Sequence, residues 1–207
     1  MKAAAVGVRM HSGWGVTVTM SGRHGAVELL DRREIVVADD AVEGSKQPYH
    51  FAAELNREDA HAHLAKCAKS SSRLALNAFK QLIEDMRSRD ISVVGGAILE
   101  ASGRPLPALD VVLKSHSLIH AAEGEFYRMV VREAFARLGS PWVGLREREL
   151  KAEAARAFVA ATSSLLQELG QLGKIHGPPW KQDHKTCAAA AMILLAAPSL
   201  FSERRAK

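Results

Sequence analysis

The stretch SHSLIHAAEGE, Ser115 to Glu125, carries His116, His120 and Glu123 at i, i+4 and i+7. On a helix that spacing puts two imidazoles and a carboxylate on one face, a donor set suited to a transition metal. A half-buried polar stripe has the same periodicity, and the zincin pattern needs a glutamate where Ser117 stands, so both readings stay open.

Three other stretches carry polar groups that could do chemistry. GVRMHSGWGVTV, Gly7 to Val18, sets Arg9, His11 and Ser12 around a glycine turn between two apolar runs. Such groups either line an anion- or phosphate-binding cleft or hydrogen-bond a tight hairpin. GPPWKQDHK, Gly177 to Lys185, places Asp183 where a helix N-cap is wanted, and Lys181 and Lys185 beside that N-terminus make a candidate anion site. RERE, Arg146 to Glu149, ends a short strand, and alternation sends Arg146 and Arg148 one way and Glu147 and Glu149 the other. Arg9, Ser12, Arg146 and Lys185 are the candidate nucleic-acid contacts. KQPYH, Lys46 to His50, is either a lid or a connector, and His61 and His63, two residues apart on a helix, read as surface.

Periodicity supplies the elements that must position these groups. Apolar residues alternate through Ala4–Met10 and again through Trp14–Met20, which predicts a hairpin with Arg9 and His11 on the face of Thr17 and Thr19. Ala26–Asp39 is a third extended segment. A helix capped by Asn56 runs to Arg89, with Ser70–Ser72 as a point of interruption, and ISVVGGAILE, Ile91 to Glu100, is a buried strand that ends in a carboxylate. There follow a helix over Ala108–Leu138, a short strand in SPWVGLRERE, a helix over Leu150–Leu169, a Gly/Pro-rich loop over Gly170–Trp180 and a last helix over Asp183–Ala197. The order is β-β-β-α-β-α-β-α-α.

The chain has 207 residues, 47% hydrophobic and 25% charged, which fits one soluble globular domain over 1–207 with a basic tail at 202–207. A net charge of +5 favours approach to polyanions such as nucleic acid without naming one. Cys67 and Cys187 lack any metal-like spacing and read as reduced core residues. CAAAAMILLAAPSLF, Cys187 to Phe201, is shorter than the roughly 20 apolar residues a membrane span needs and reads as a buried helix. The opening apolar run is too short for a signal peptide, so a cytoplasmic, bacterial-type protein is expected, its oligomeric state left open.

The element order, together with VVGGAILE, WVGLRERELKAEA and DHKTCAAAAMILLA, resembles the ribonuclease H-like fold and its Holliday-junction resolvase branch, the RuvC and YqgF type. The fold class implied is α/β: a mixed five-stranded sheet, antiparallel meander first and parallel crossover strands second, flanked by helices. That family cleaves nucleic-acid backbones with magnesium or manganese held by carboxylates. The resemblance assigns Glu100 and Asp183 as metal-binding catalytic carboxylates; His11 is a further candidate catalytic residue, taken from the opening cluster itself. The first strand departs: Val8-Arg9-Met10-His11-Ser12-Gly13 stands where the family has aspartate before its glycine turn. Metal-dependent phosphodiester hydrolysis is therefore the leading expectation. A non-catalytic nucleic-acid or protein binding module that has lost its metal site is the alternative. A transition-metal hydrolase built on His116, His120 and Glu123 is the third.

Overall fold

The computed structural model describes residues 1–101, 105–158 and 162–198. Strands β1 (Lys2–Met10), β2 (Trp14–Arg23), β3 (Ala26–Val36), β4 (Ile91–Glu100) and β5 (Trp142–Arg146) form one sheet in the order β3-β2-β1-β4-β5. β1 pairs antiparallel with β2 and β2 with β3, whereas β1 and β4, and β4 and β5, are parallel. The helices are α1 (Pro48–Ala53), α2 (Arg57–Ser88), α3 (Leu109–Val112), α4 (His116–Arg137), α5 (Leu150–Phe158), α6 (Thr162–His176) and α7 (Gln182–Ala196). The expected mixed sheet with flanking helices is the one observed.

Both faces of the sheet are covered. Val6, Val8, Ile91 and Ile98 pack with Phe79 and Leu82 of α2 and Tyr127, Val131 and Phe135 of α4. Ala5, Val16, Val18, Ala97 and Leu99 pack with Leu165 and Leu169 of α6 and with nearly the whole length of α7. Burial on two sides is why ISVVGGAILE is continuously apolar and why α7 shows no polar stripe over Cys187–Leu194. Cys67 and Cys187 are buried thiols, and no described helix is long and apolar enough to cross a membrane.

Several boundaries differ from those expected, each for a physical reason. Met10 pairs with Gly15 and Arg9 with Val16, so even positions of β1 face odd positions of β2. Arg9 consequently shares its face with Val16 and Val18, and not with Thr17 and Thr19. Ser70–Ser72 do not interrupt α2, because Ser70 Oγ donates back to the Cys67 carbonyl at 3.2 Å and Ser72 Oγ donates to Glu133 at 2.8 Å. The helix expected over Ala108–Leu138 breaks at Leu113–Ser115, where Ser115 takes an extended N-cap conformation.

Gly170 and Gly173 lie inside α6, beyond the Leu169 end that the sequence predicts. A Cβ at Gly173 would collide with the Trp180 ring, whose Nε1 donates to the Leu169 carbonyl at 2.9 Å. Gly173 thus admits a returning aromatic without breaking the helix. The true turn, residues 176–179, is held by Arg32, whose guanidinium donates to four successive carbonyls at 2.8–3.1 Å. The basic tail expected at 202–207 lies outside the described residues.

Gly7 marks a point of close approach between layers, since a Cβ there would overlap the Cys187 carbonyl of α7. Gly7→Ala therefore forces α7 off the sheet and lowers stability by about 1–3 kcal/mol, read as a lower denaturant midpoint.

Candidate functional site at the strand ends

The parallel strands β1, β4 and β5 end on the same edge of the sheet, and the first turn of α7 meets them there. Arg9, one residue from the end of β1, points to the α7 side. Its Nη1 donates to Asp183 Oδ1, and its Nη2 donates to Glu147 Oε2 at 3.1 Å. His11 stacks on Trp14 with ring centroids 4.4 Å apart and brings Nε2 to 2.8 Å from Asp183 Oδ2. Both carboxylate oxygens of Asp183 are thus engaged by cationic or donor groups. Asp183 is not the N-cap: α7 begins at Gln182, and the Lys181 N–H donates to His184 Nδ1 at 3.2 Å.

Partial burial alone would raise the Asp183 carboxyl, but hydrogen bonds from His11 and Arg9 and the Arg9 charge outweigh it and hold the group below its ordinary value. Burial would likewise lower Arg9, yet Asp183 and Glu147 push it further up, so Arg9 is a permanent cation in this place.

Glu100 lies on the opposite face. It follows Ile98 by two residues and so points toward α4, where Arg132 Nη2 donates to its Oε1 at 2.9 Å. Arg132 also donates to Glu125 at 2.5 Å and stands over the Trp142 ring at 5.7 Å. Glu125, which burial would raise, is held below its ordinary value by Arg132 first and Arg128 second. Between the two sets of ion pairs runs a cleft of about 560 Å³, lined by Arg9, Met10, Glu100, Arg128, Glu147 and Arg148 among others.

The remaining candidate contacts are dispersed. Ser12 is exposed in the turn. Arg146 pairs with Glu149 at 3.2 Å, because Glu147–Glu149 form a 3-10 turn in which strand alternation does not apply. Lys185 borders a separate shallow depression with Lys174, Gly173 and Trp180.

Magnesium and manganese want several carboxylate or water oxygens in near-octahedral array. The donors here do not fit such an ion: Asp183 and Glu147 close on the Arg9 guanidinium, Glu100 closes on Arg132, and the position on β1 that would add an acid supplies the cation instead. His116 and His120 do lie together, Nε2 to Nε2 at 3.0 Å, but well away along α4. Glu123, read from the sequence as their companion ligand, is only 2% exposed, and its Oε1 accepts from His50 Nδ1 at 2.8 Å. His50 takes its place in the cluster, which the sequence reading missed because only the docking of α1 on α4 brings it there. Arg132 was missed as well, although Glu125, Arg128 and Arg132 at i, i+3 and i+7 form a legible charged stripe.

No protein-family model and no characterised sequence matches this chain. Its fold is similar to that of Thermus thermophilus RuvC in complex with a Holliday-junction substrate, at 11% identity and a TM-score of 0.54 over 96% of each chain. A second structure of Thermus thermophilus RuvC matches at 12% identity and the same TM-score over 94% of each chain. The protein has the ribonuclease H-like fold shared by those structures.

Removing the charge of Asp183 leaves Arg9 and His11 short of an acceptor. Asp183→Asn is expected to lose about 1–3 kcal/mol of stability at pH 5. Because the folded carboxyl titrates below its unfolded counterpart near 3.8, its stabilisation is full above that value and is lost as pH falls through the lower, folded one. The gap between wild type and variant in denaturant melts therefore narrows below about pH 4.

Proposed function

We propose that this chain is a non-catalytic ribonuclease H-like module that binds nucleic acid along the phosphate backbone at the strand-end cleft. The observation that carries the reading is Arg9, which occupies the first-strand position and closes Asp183 and Glu147 around itself. A fixed guanidinium there repels a divalent cation and leaves the cleft with arginines suited to phosphate. Arg128 and Arg148 line the cleft, and Arg148 is two-thirds exposed. The net charge of +5 supports approach to a polyanion, and the similar RuvC structure holds a Holliday junction. Of the contacts expected from the sequence, Arg9 lines the cleft and Arg148 joins it there, whereas Ser12, Arg146 and Lys185 lie outside its lining.

The competing reading makes Glu100 and Asp183 metal ligands and His11 their catalytic neighbour. It requires Arg9 and Arg132 to release both carboxylates, which nothing in the hydrogen bonding favours.

Fluorescence anisotropy with labelled four-way-junction, duplex and single-stranded DNA tests the proposal, alongside a cleavage assay in magnesium or manganese. Binding that weakens linearly with the logarithm of salt, with every substrate left intact, is the expected result. An Arg148→Ala variant is expected to bind several-fold more weakly. Metal-dependent cleavage lost in a Glu100→Ala, Asp183→Ala double variant would establish the nuclease instead, and absence of binding at low salt would remove the nucleic-acid partner.

The role given to Arg9 has its own check. Arg9→Asp returns an acid to β1 beside Glu147 and Asp183, so the variant should melt below wild type without metal. Magnesium should then raise its Tm while leaving that of wild type unchanged.

A further inference from the structure

We propose that His50, His116 and His120 form a binding site for zinc or a transition ion of similar preference, with Glu123 as the positioning carboxylate. One ligand nitrogen from each imidazole can be chosen such that all three lie within 4.8 Å of one another. Two nitrogens on a tetrahedral zinc, each about 2.0–2.1 Å from the metal, are separated by about 3.3 Å. The 3.0 Å between His116 Nε2 and His120 Nε2 is already close to that edge. The three rings meet at interplanar angles of 65–81°, so they present edges to one another and do not stack.

The second observation is the state of Glu123. Its buried carboxylate accepts from both the backbone N–H and Nδ1 of His50, at 3.2 and 2.8 Å. A carboxylate acceptor fixes the His50 proton on Nδ1 and leaves the Nε2 lone pair outward, the tautomer a metal ligand needs. Three imidazoles with a carboxylate behind one of them leave a fourth coordination position for water, and they suit a borderline ion far better than magnesium.

One ligand, His50, comes from α1 and two, His116 and His120, from α4, so an ion would tie the connector between β3 and α2 onto α4. His120 and Arg128 are about 12 Å apart along α4 at 1.5 Å per residue, which separates this site from the strand-end cleft. The inference therefore stands independently of nucleic-acid binding.

Chelator-treated full-length protein titrated with zinc against a chromophoric competitor should bind one equivalent. Cobalt should give the intense visible absorption of a tetrahedral nitrogen-ligated centre. His116→Ala and His120→Ala together, both at exposed positions, should leave the fold intact by circular dichroism and weaken zinc at least 100-fold. Glu123→Gln keeps an acceptor for Nδ1 but removes the charge, so stoichiometry should hold while affinity falls about 10-fold. His50→Ala discriminates the third ligand: affinity should drop and the cobalt spectrum should lose intensity. No saturable zinc binding, or zinc bound equally by the double histidine variant, would overturn the site; an unchanged His50→Ala spectrum would overturn its third ligand.

Discussion

One guanidinium holds the strand-end edge of this molecule together. Arg9 reaches from the end of β1 to Asp183 in the first turn of α7 and to Glu147 just after β5, joining three segments far apart in sequence. Its charge is permanent, it is less than a third exposed, and each acceptor is itself a carboxylate, so the arrangement satisfies all three groups at once. Whatever the cleft binds must be compatible with that cation. Phosphate is compatible with it, and a divalent metal at the same point is not.

The cation sits where it does because the sheet is covered on both sides. β1 is the central strand, with α2 and α4 against one face and α7 against the other, and Gly7 removes the side chain that would keep α7 away. Close approach of α7 brings Asp183 within reach of Arg9 and His11. On the other face α4 delivers Arg132 to Glu100. The two carboxylates that could have shared a metal therefore end on opposite sides of one sheet, each with its own arginine, and a cluster of His50, His116 and His120 forms along α4 where α1 docks.

Much of this architecture was legible residue by residue. Alternation in Ala4–Met10 and Trp14–Met20 announced the hairpin, the continuous run Ile91–Glu100 announced a strand buried on two sides, and Asn56 announced the start of α2, where its side chain accepts from the Asp59 N–H at 3.0 Å. The gathering of Arg9, His11 and Asp183 was less legible, because Asp183 at a helix start reads as a cap as readily as an ion-pair partner. The face of Arg9 was misread for a definite reason: alternation within each strand says nothing of how the strands pair, and an even number of turn residues sets even positions against odd ones. Gly173 of α6 is ambiguous in the same way, since a glycine needed for close packing looks the same in sequence as one that ends a helix.

By itself the sequence determined the classes of element and their order, because hydrophobic period is a local property that each segment carries whether or not it is folded. It also determined that β1 bears a cation where the resemblance called for an acid. Only the tertiary structure decided which charges meet. Arg132 with Glu100, Glu147 with Arg9 and His50 with Glu123 are contacts across 32, 138 and 73 residues, and their pairing depends on helix docking and strand register that no local pattern encodes. Ion pairs and metal ligands act over a few ångströms, so a site is settled only once packing has brought its members that close.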